Sequence, residues 1–72
     1  MGNLTITNNI RRLRFDANEM TQKDLAEKVG VTRQTIVAIE KAKYSPSLEL
    51  AILISRAFNK SLEEVFDIHD AR

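Results

Sequence analysis

Two short apolar-periodic segments separated by one glycine constrain the fold of this chain most. The apolar residues recur at helical spacing on both sides of Gly30: Leu25, Ala26 and Val29 before it, Ile36 and Ile39 after it. Thr21 and Thr32 stand where the two segments would begin, and threonine is a helix-capping residue. Gly30 tolerates the left-handed conformation that ends a helix. Two helices joined so briefly must cross steeply, which predicts a helix-turn-helix arrangement.

The residues of these two segments also resemble a known family. The stretch 21–36, followed by Ile39-Glu40 and then by the residues 44–51, resembles the Cro/C1-type helix-turn-helix family of bacterial and phage repressors. The similarity runs from about Ile10 to Phe66, nearly the whole chain. It implies an all-α, five-helix, lambda-repressor-like DNA-binding domain and a small stand-alone member of the family. We expect one domain over 1–72, with a helix-turn-helix core at about 8–66 and a recognition unit at 21–41.

Capping signals and periodicity predict where the helices lie. The first three helices are expected at about 8–17, 21–29 and 32–41, the first with Asn8 or Thr7 as its cap. Ser47 follows a proline and opens helix 4, and Ser61 opens a short helix 5. The segments 3–7 and 66–69 alternate polar and apolar residues, as strands do. Two interpretations stay open for these segments: a ribbon, formed within a chain or between chains, or disordered termini.

The outward face of helix 3 carries the residues predicted to contact bases. With its apolar side toward the core, the helix presents four of them: Arg33, Gln34, Val37 and Ala38. First-turn side chains reach base edges best in the major groove. Arg33 can donate two hydrogen bonds to guanine, and Gln34 can pair with adenine. Val37 and Ala38 offer apolar surface to a thymine methyl group. The alternative interpretation is that these are ordinary exposed side chains.

Contacts to the DNA backbone are predicted for residues that flank helix 3 and for the start of helix 2. These residues are Gln22, Thr32, Lys41, Lys43 and Tyr44. At a helix N-terminus both the Gln22 amide and backbone N–H groups can meet a phosphate, and the resemblance implies the same role for this residue. Arg11 and Lys23 are weaker candidates. For the lysines, a solvated surface charge is the alternative interpretation.

Two further expectations concern the helix ends. The resemblance implies a structural ion pair between Arg14 and Glu40, although Asn18-Glu19 makes the preceding connection one residue longer than is common in the family and leaves the register of the pair open. Many relatives have Asn-Gly where this chain has Lys41-Ala42. Because alanine has a steric cost in the left-handed region, helix 3 is expected to end by another route.

The charge distribution also favours DNA contact by the helix-turn-helix. The net charge is +1, but residues 1–43 carry eight Lys and Arg against five Asp and Glu, whereas residues 44–72 carry three against five. The basic part coincides with the helix-turn-helix, where phosphate contact would need it. Chance clustering is the alternative.

The expected function is sequence-specific binding of double-stranded DNA by a homodimeric, cytoplasmic transcriptional repressor, at a two-fold symmetric site. Dimer contacts are expected at Val65, Phe66 and Ile68, which we predict to be too exposed in a monomer. The alternative function is that of an antitoxin, or of another protein-binding module, which neutralises a partner protein and binds DNA secondarily.

Other classes of protein are disfavoured. The chain has no cysteine and a single histidine, His69, so we expect no enzyme, no metal site and no other cofactor. The sequence gives no ground to infer a small-molecule ligand. The longest apolar run, Leu50 to Ile54, has five residues and is too short to cross a membrane.

Overall fold

Side-chain caps set where four of the helices begin. The computed structural model describes residues 4–70 and contains five helices and two short strands. At four helix starts a hydroxyl accepts a hydrogen bond from the backbone N–H three residues later: Thr21, Thr32, Ser47 and Ser61. Each hydroxyl satisfies an N–H that the helix itself leaves without an acceptor. The four predicted caps are therefore confirmed.

The order of the elements matches the expected five-helix class with a terminal ribbon. In chain order they are β1 (Leu4–Asn8), α1 (Ile10–Asp16), α2 (Gln22–Val29), α3 (Arg33–Glu40), α4 (Leu48–Ala57), α5 (Leu62–Val65) and β2 (Phe66–Asp70). Across the part of the chain that the structure describes, no helix has the length and apolarity to cross a membrane.

Helix α1 begins later than predicted. Its N-cap is Asn9, whose side chain makes no capping hydrogen bond. The predicted cap Asn8 is instead the last residue of β1, and its Oδ1 accepts a hydrogen bond from the Ile10 N–H at 3.2 Å. Because strand pairing takes up both Thr7 and Asn8, α1 starts only at Ile10.

Every helix contributes to one core. The largest fully buried side chains are Ile10, Leu25, Ile36, Ile39, Ile54 and Val65. Burying a side chain of this size stabilises a fold by about 1.5–3 kcal/mol. Leu48, the first residue of α4, is apolar but 68% exposed. It lies about 160° around the helix from Leu50, which does face the core.

The two strands form an antiparallel ribbon within one chain. Ile6 lies opposite Ile68, and Asn8 lies opposite Phe66. The Asn9 N–H donates to the Val65 carbonyl oxygen at 3.1 Å, just beyond the paired residues. Of the two interpretations of these segments, the structure therefore supports the ribbon. Asn3, predicted to begin the first strand, lies outside the described residues.

Candidate nucleic-acid interface

The turn between α2 and α3 sets the direction of α3. Gly30 ends α2 with a φ of +81°, and its N–H donates to the Ala26 carbonyl oxygen at 2.8 Å. Glycine adopts this left-handed conformation without steric cost. Thr32 then caps α3 two residues later. Because Ile36 and Ile39 are buried, the opposite side of α3 faces away from the protein.

The four residues predicted to contact bases lie on two stripes of that outward side. Arg33 and Val37 line a cleft between α3 and the helices α1 and α2, whereas Gln34 and Ala38 lie outside it. Arg33 and Gln34 are exposed, and Val37 and Ala38 are half-buried. The first-turn residues therefore have the larger free surface, and base contact by any of the four stays a prediction.

Arg14 and Glu40 form a bidentate ion pair that ties α1 to α3. The Arg14 Nε donates to Glu40 Oε2 at 2.6 Å, and Nη2 donates to Oε1 at 3.0 Å. The two side chains are only 14% and 8% exposed. Arg14 Nη1 also donates to the Met20 carbonyl oxygen at 2.9 Å, just before α2. Charge-assisted, two-point contacts of this kind fix the relative position of the elements they join.

Gln22 joins the same network. Its Nε2 donates to Glu40 Oε1 at 3.1 Å. The side-chain amide that was predicted to meet a phosphate therefore has a partner inside the protein, on α3. The Gln22 backbone N–H still lies in the first turn of α2, where N–H groups have no acceptor in the helix. Sequence reasoning missed the Gln22–Glu40 bond, since the two residues are 18 positions apart and no local pattern links them.

The long connection between α1 and α2 does not disturb the ion pair. Asn18 and Glu19 both have positive φ, at 64° and 58°. The Met20 N–H donates back to the Arg14 carbonyl oxygen at 2.9 Å. Two consecutive left-handed residues thus take up the additional residue, and Arg14 remains in register with Glu40.

Helix α3 ends through a left-handed alanine, so the expectation of another route is wrong. Ala42 has a φ of 59°. Its N–H donates to the Ile39 carbonyl oxygen at 2.9 Å, and the Lys43 N–H donates to that of Ala38 at 3.0 Å. These two bonds form a Schellman motif and offset the steric cost of a β-carbon in this conformation. Lys43 and Tyr44 follow and are exposed.

Positive charge dominates around α3. Glu40 is the one acid between Lys28 and Lys43, and its pairing with Arg14 neutralises it. Within residues 4–70, none of the salt bridges involves Arg33, Lys41 or Lys43. Thr32 is also exposed, with its hydroxyl 3.0 Å from that of Thr35. The surface beside α3 thus has cationic side chains that can meet a polyanion.

The structure separates the three residues that were predicted for a dimer interface. Val65 is 2% exposed, so the prediction that it is too exposed in a monomer is wrong: its side chain belongs to the core of a single chain. Phe66 is half-buried, and Ile68 is 60% exposed. Ile68 and its cross-strand neighbour Ile6 line an apolar groove of about 500 Å³ that continues to Leu48 on α4.

Comparisons with known proteins agree with this architecture. The model of the helix-turn-helix family matches residues 10–65. An uncharacterized HTH-type transcriptional regulator of Methanocaldococcus jannaschii is 53% identical over 53 residues, which cover 74% of this chain and 80% of the relative. One of Bacillus subtilis is 56% identical over 46 residues, 64% of this chain and 70% of the relative. The crystal structure of the transcriptional regulator VanUg superposes with a TM-score of 0.79 over 97% of this chain and 92% of that one; at 21% identity it supports the fold alone.

Proposed function

Because this chain belongs to the helix-turn-helix family, we propose that it is a transcriptional regulator that binds double-stranded DNA in a sequence-specific manner and places α3 in the major groove. The observation that carries this proposal is the exposure of Arg33 and Gln34 in the first turn of α3, on a helix whose opposite side is buried through Ile36 and Ile39. Base recognition requires a helix that is held rigidly through its buried side and side chains that are free to contact bases on its exposed side.

In the proposed complex, bases are read by the outward side of α3. Arg33 donates two hydrogen bonds to guanine O6 and N7, and Gln34 pairs with adenine N6 and N7. Val37 and Ala38 lie one turn further along, and their apolar surface suits a thymine methyl group. Their half-buried positions give them a smaller share of the contact than the first-turn residues.

Phosphate contacts hold α3 in register on the duplex. Lys43 and Tyr44 lie beyond the far end of α3 and grip one strand, whereas Lys41 faces the cleft beside α1 and α2 and contacts the other strand. The Gln22 backbone N–H and the Thr32 hydroxyl serve the other side, and helix N-termini favour anions. With its amide held by Glu40, Gln22 contacts phosphate through its main chain in this proposal.

The regulator acts as a homodimer on a two-fold symmetric site. Support comes from the exposed apolar surface of Ile6 and Ile68 on the terminal ribbon, with Phe66 beside them. A contiguous apolar surface of this kind is typical of a subunit contact. Two copies related by such a contact present two α3 helices to one face of DNA, about 34 Å apart. Occupancy of a promoter by such a dimer represses transcription, which is the mode that the family resemblance implies.

In vitro selection of duplexes from a random library tests this function, with the affinity of the selected site measured at two salt concentrations. We expect a two-fold symmetric consensus whose half-sites are about 10 base pairs apart, and an affinity that falls steeply with salt. The absence of any enriched duplex at low salt would overturn the proposal.

The dimer is tested separately, by sedimentation equilibrium of an Ile68→Asp variant. We expect this variant to be monomeric and to bind a single half-site weakly. Leu53→Asp is the matched control, because Leu53 is 40% exposed on α4 and does not line the groove. A wild-type protein that is already monomeric on its symmetric site, or an Ile68→Asp variant that still dimerises, would contradict this interface.

A further inference from the structure

Phe15 is an exposed aromatic residue that lies outside the hydrophobic core. It lies in α1 and is 66% exposed. An aromatic ring of this size stabilises a fold most when it is buried. It lines a cleft of about 660 Å³ between α1, the start of α2 and α3. Arg11 and Lys23 line the same cleft, and so do Arg33 and Lys41 on α3. An apolar ring thus stands among cationic side chains, beside residues proposed to contact DNA.

We propose that Phe15 and Arg11 extend the DNA interface to α1, where they contact the sugar–phosphate strand that borders the major groove occupied by α3. Phe15 packs its ring against deoxyribose, and Arg11 binds the adjacent phosphate. This inference rests on the proposed function and adds residues to it.

The position of the cleft determines which part of DNA can reach it. The major groove is about 12 Å wide and an α-helix with its side chains is about 10–12 Å across, so the strands that border the groove must press against the protein on both sides of α3. Lys43 and Tyr44 meet one strand beyond the end of α3. The cleft flanks the other side, because Arg33 and Val37 form its α3 wall.

The charges of the cleft favour a polyanion. Its lining contains five cationic side chains and two acidic ones, Glu19 and Glu40. Glu40 is neutralised by Arg14. The other cationic side chains are exposed, including Arg11 and Lys23. A deoxyribose–phosphate strand combines an apolar sugar face with a charged phosphate at each step, which matches one ring beside several cations.

The test compares the affinities of wild type, Phe15→Ala and Phe15→Tyr for the selected duplex at several salt concentrations. We expect Phe15→Ala to lose about tenfold in affinity with an unchanged salt slope, because an apolar contact releases no counterions. Phe15→Tyr keeps the ring and should bind as wild type does. Arg11→Ala should instead lower the salt slope by about one. None of these variants should change the base preference.

Leu53→Ala is the matched control, since Leu53 is also an exposed apolar residue but lies outside the cleft. Equal affinity of Phe15→Ala and wild type would overturn the inference and leave the proposed function standing. A Phe15→Ala variant with an altered oligomeric state would also overturn it, and would assign the ring to a protein contact. If wild type binds no duplex at low salt, the proposed function fails and this inference fails with it.

Discussion

The Asn8 side chain donates a hydrogen bond from Nδ2 to the carbonyl oxygen of Ile39 at 2.8 Å, across 31 positions of the chain. The same side chain accepts a bond from the Ile10 N–H. Asn8 ends β1, Ile10 begins α1, and Ile39 lies in the last turn of α3. One amide therefore connects the terminal ribbon to the exit of the helix that we propose reads DNA. A second chain that packed on the ribbon would therefore contact the element that Asn8 joins to the last turn of α3.

Replacement of Asn8 by aspartate tests this connection. Asn8→Asp keeps an acceptor for the Ile10 N–H but removes the donor and puts a carboxylate against the Ile39 carbonyl. We expect the free energy of unfolding to fall by about 1–3 kcal/mol in urea denaturation. Asn9→Asp is the control, because the Asn9 side chain makes no capping bond, and it should change stability by less than about 0.5 kcal/mol. Equal losses at the two positions would contradict the role given to Asn8.

The backbone conformation of Ala42 predicts that replacing this residue by glycine stabilises the protein. Its left-handed conformation has a steric cost for alanine that glycine does not have. Ala42→Gly should raise the free energy of unfolding by about 1 kcal/mol in urea denaturation. The same change at Ala57, the last residue of α4, should lower it by about 0.5–1 kcal/mol, since glycine is unfavourable within a helix. A loss of stability in Ala42→Gly would show that the strain is absent.

The capping boxes predict how stability depends on pH. The pKa values of Asp24 and Glu64 lie below their ordinary values of 3.8 and 4.5, chiefly because the backbone N–H groups of Thr21 and Ser61 donate to the two carboxylates. A carboxyl group with a lowered pKa in the folded state stabilises the protein above its ordinary pKa, and this contribution is lost as pH falls through the lowered value. Wild type should therefore exceed Glu64→Gln in stability at pH 7, with a gap that narrows below pH 4.5. An equal gap at pH 7 and pH 2.5 would exclude this contribution.

Local signals explain which parts of the fold could be predicted. The starts of α2, α3, α4 and α5 each depend on a hydroxyl and an N–H three residues apart, so the sequence contains both partners within one turn. The start of α1 depends instead on where β1 stops pairing with β2, whose residues lie 58 to 66 positions further along the chain, and no local pattern indicates that point. The bonds from Asn8 to Ile39 and from Gln22 to Glu40 were missed for the same reason.

The dimer residues show a second limit of the sequence. All three are apolar and close to the C-terminus: Val65, Phe66 and Ile68. Residue type and position in the sequence therefore do not distinguish a core residue from an exposed one among them. The chain leaves α5 after Val65 and enters β2 at Phe66, which puts Val65 in the core. Alternation along β2 then puts Phe66 and Ile68 on one face of the ribbon. If the boundary between α5 and β2 were shifted by one residue, the side chains of β2 would exchange the two faces of the ribbon.

The ion pair between Arg14 and Glu40 predicts a large loss of stability when one partner is removed. Glu40→Gln leaves the Arg14 guanidinium mostly buried without a countercharge, and we expect the free energy of unfolding to fall by about 3 kcal/mol. The control is Asp16→Asn, which breaks the pair with Arg12. That pair is exposed, at 78% and 56%, so the loss should stay below about 1 kcal/mol. Similar losses in urea denaturation of the two variants would contradict this assignment.

Base contacts and phosphate contacts should respond differently to substitution on and beside α3. Arg33→Ala and Gln34→Ala should each weaken binding to the selected site by about 1–3 kcal/mol and relax the preference at one base position. The measurement is competition between the selected duplex and duplexes with single base changes. Both side chains are exposed, so thermal unfolding of the free protein should remain as in wild type.

Lys43→Ala provides the contrast. Lys43 is exposed beyond the end of α3, and a phosphate contact there is independent of sequence. The variant should bind all duplexes more weakly, keep the preference of wild type and lower the salt slope by about one. If Arg33→Ala gave this uniform, salt-dependent loss instead, Arg33 would be a phosphate contact, and the reading of bases would have to depend on Gln34 and the apolar residues that follow it.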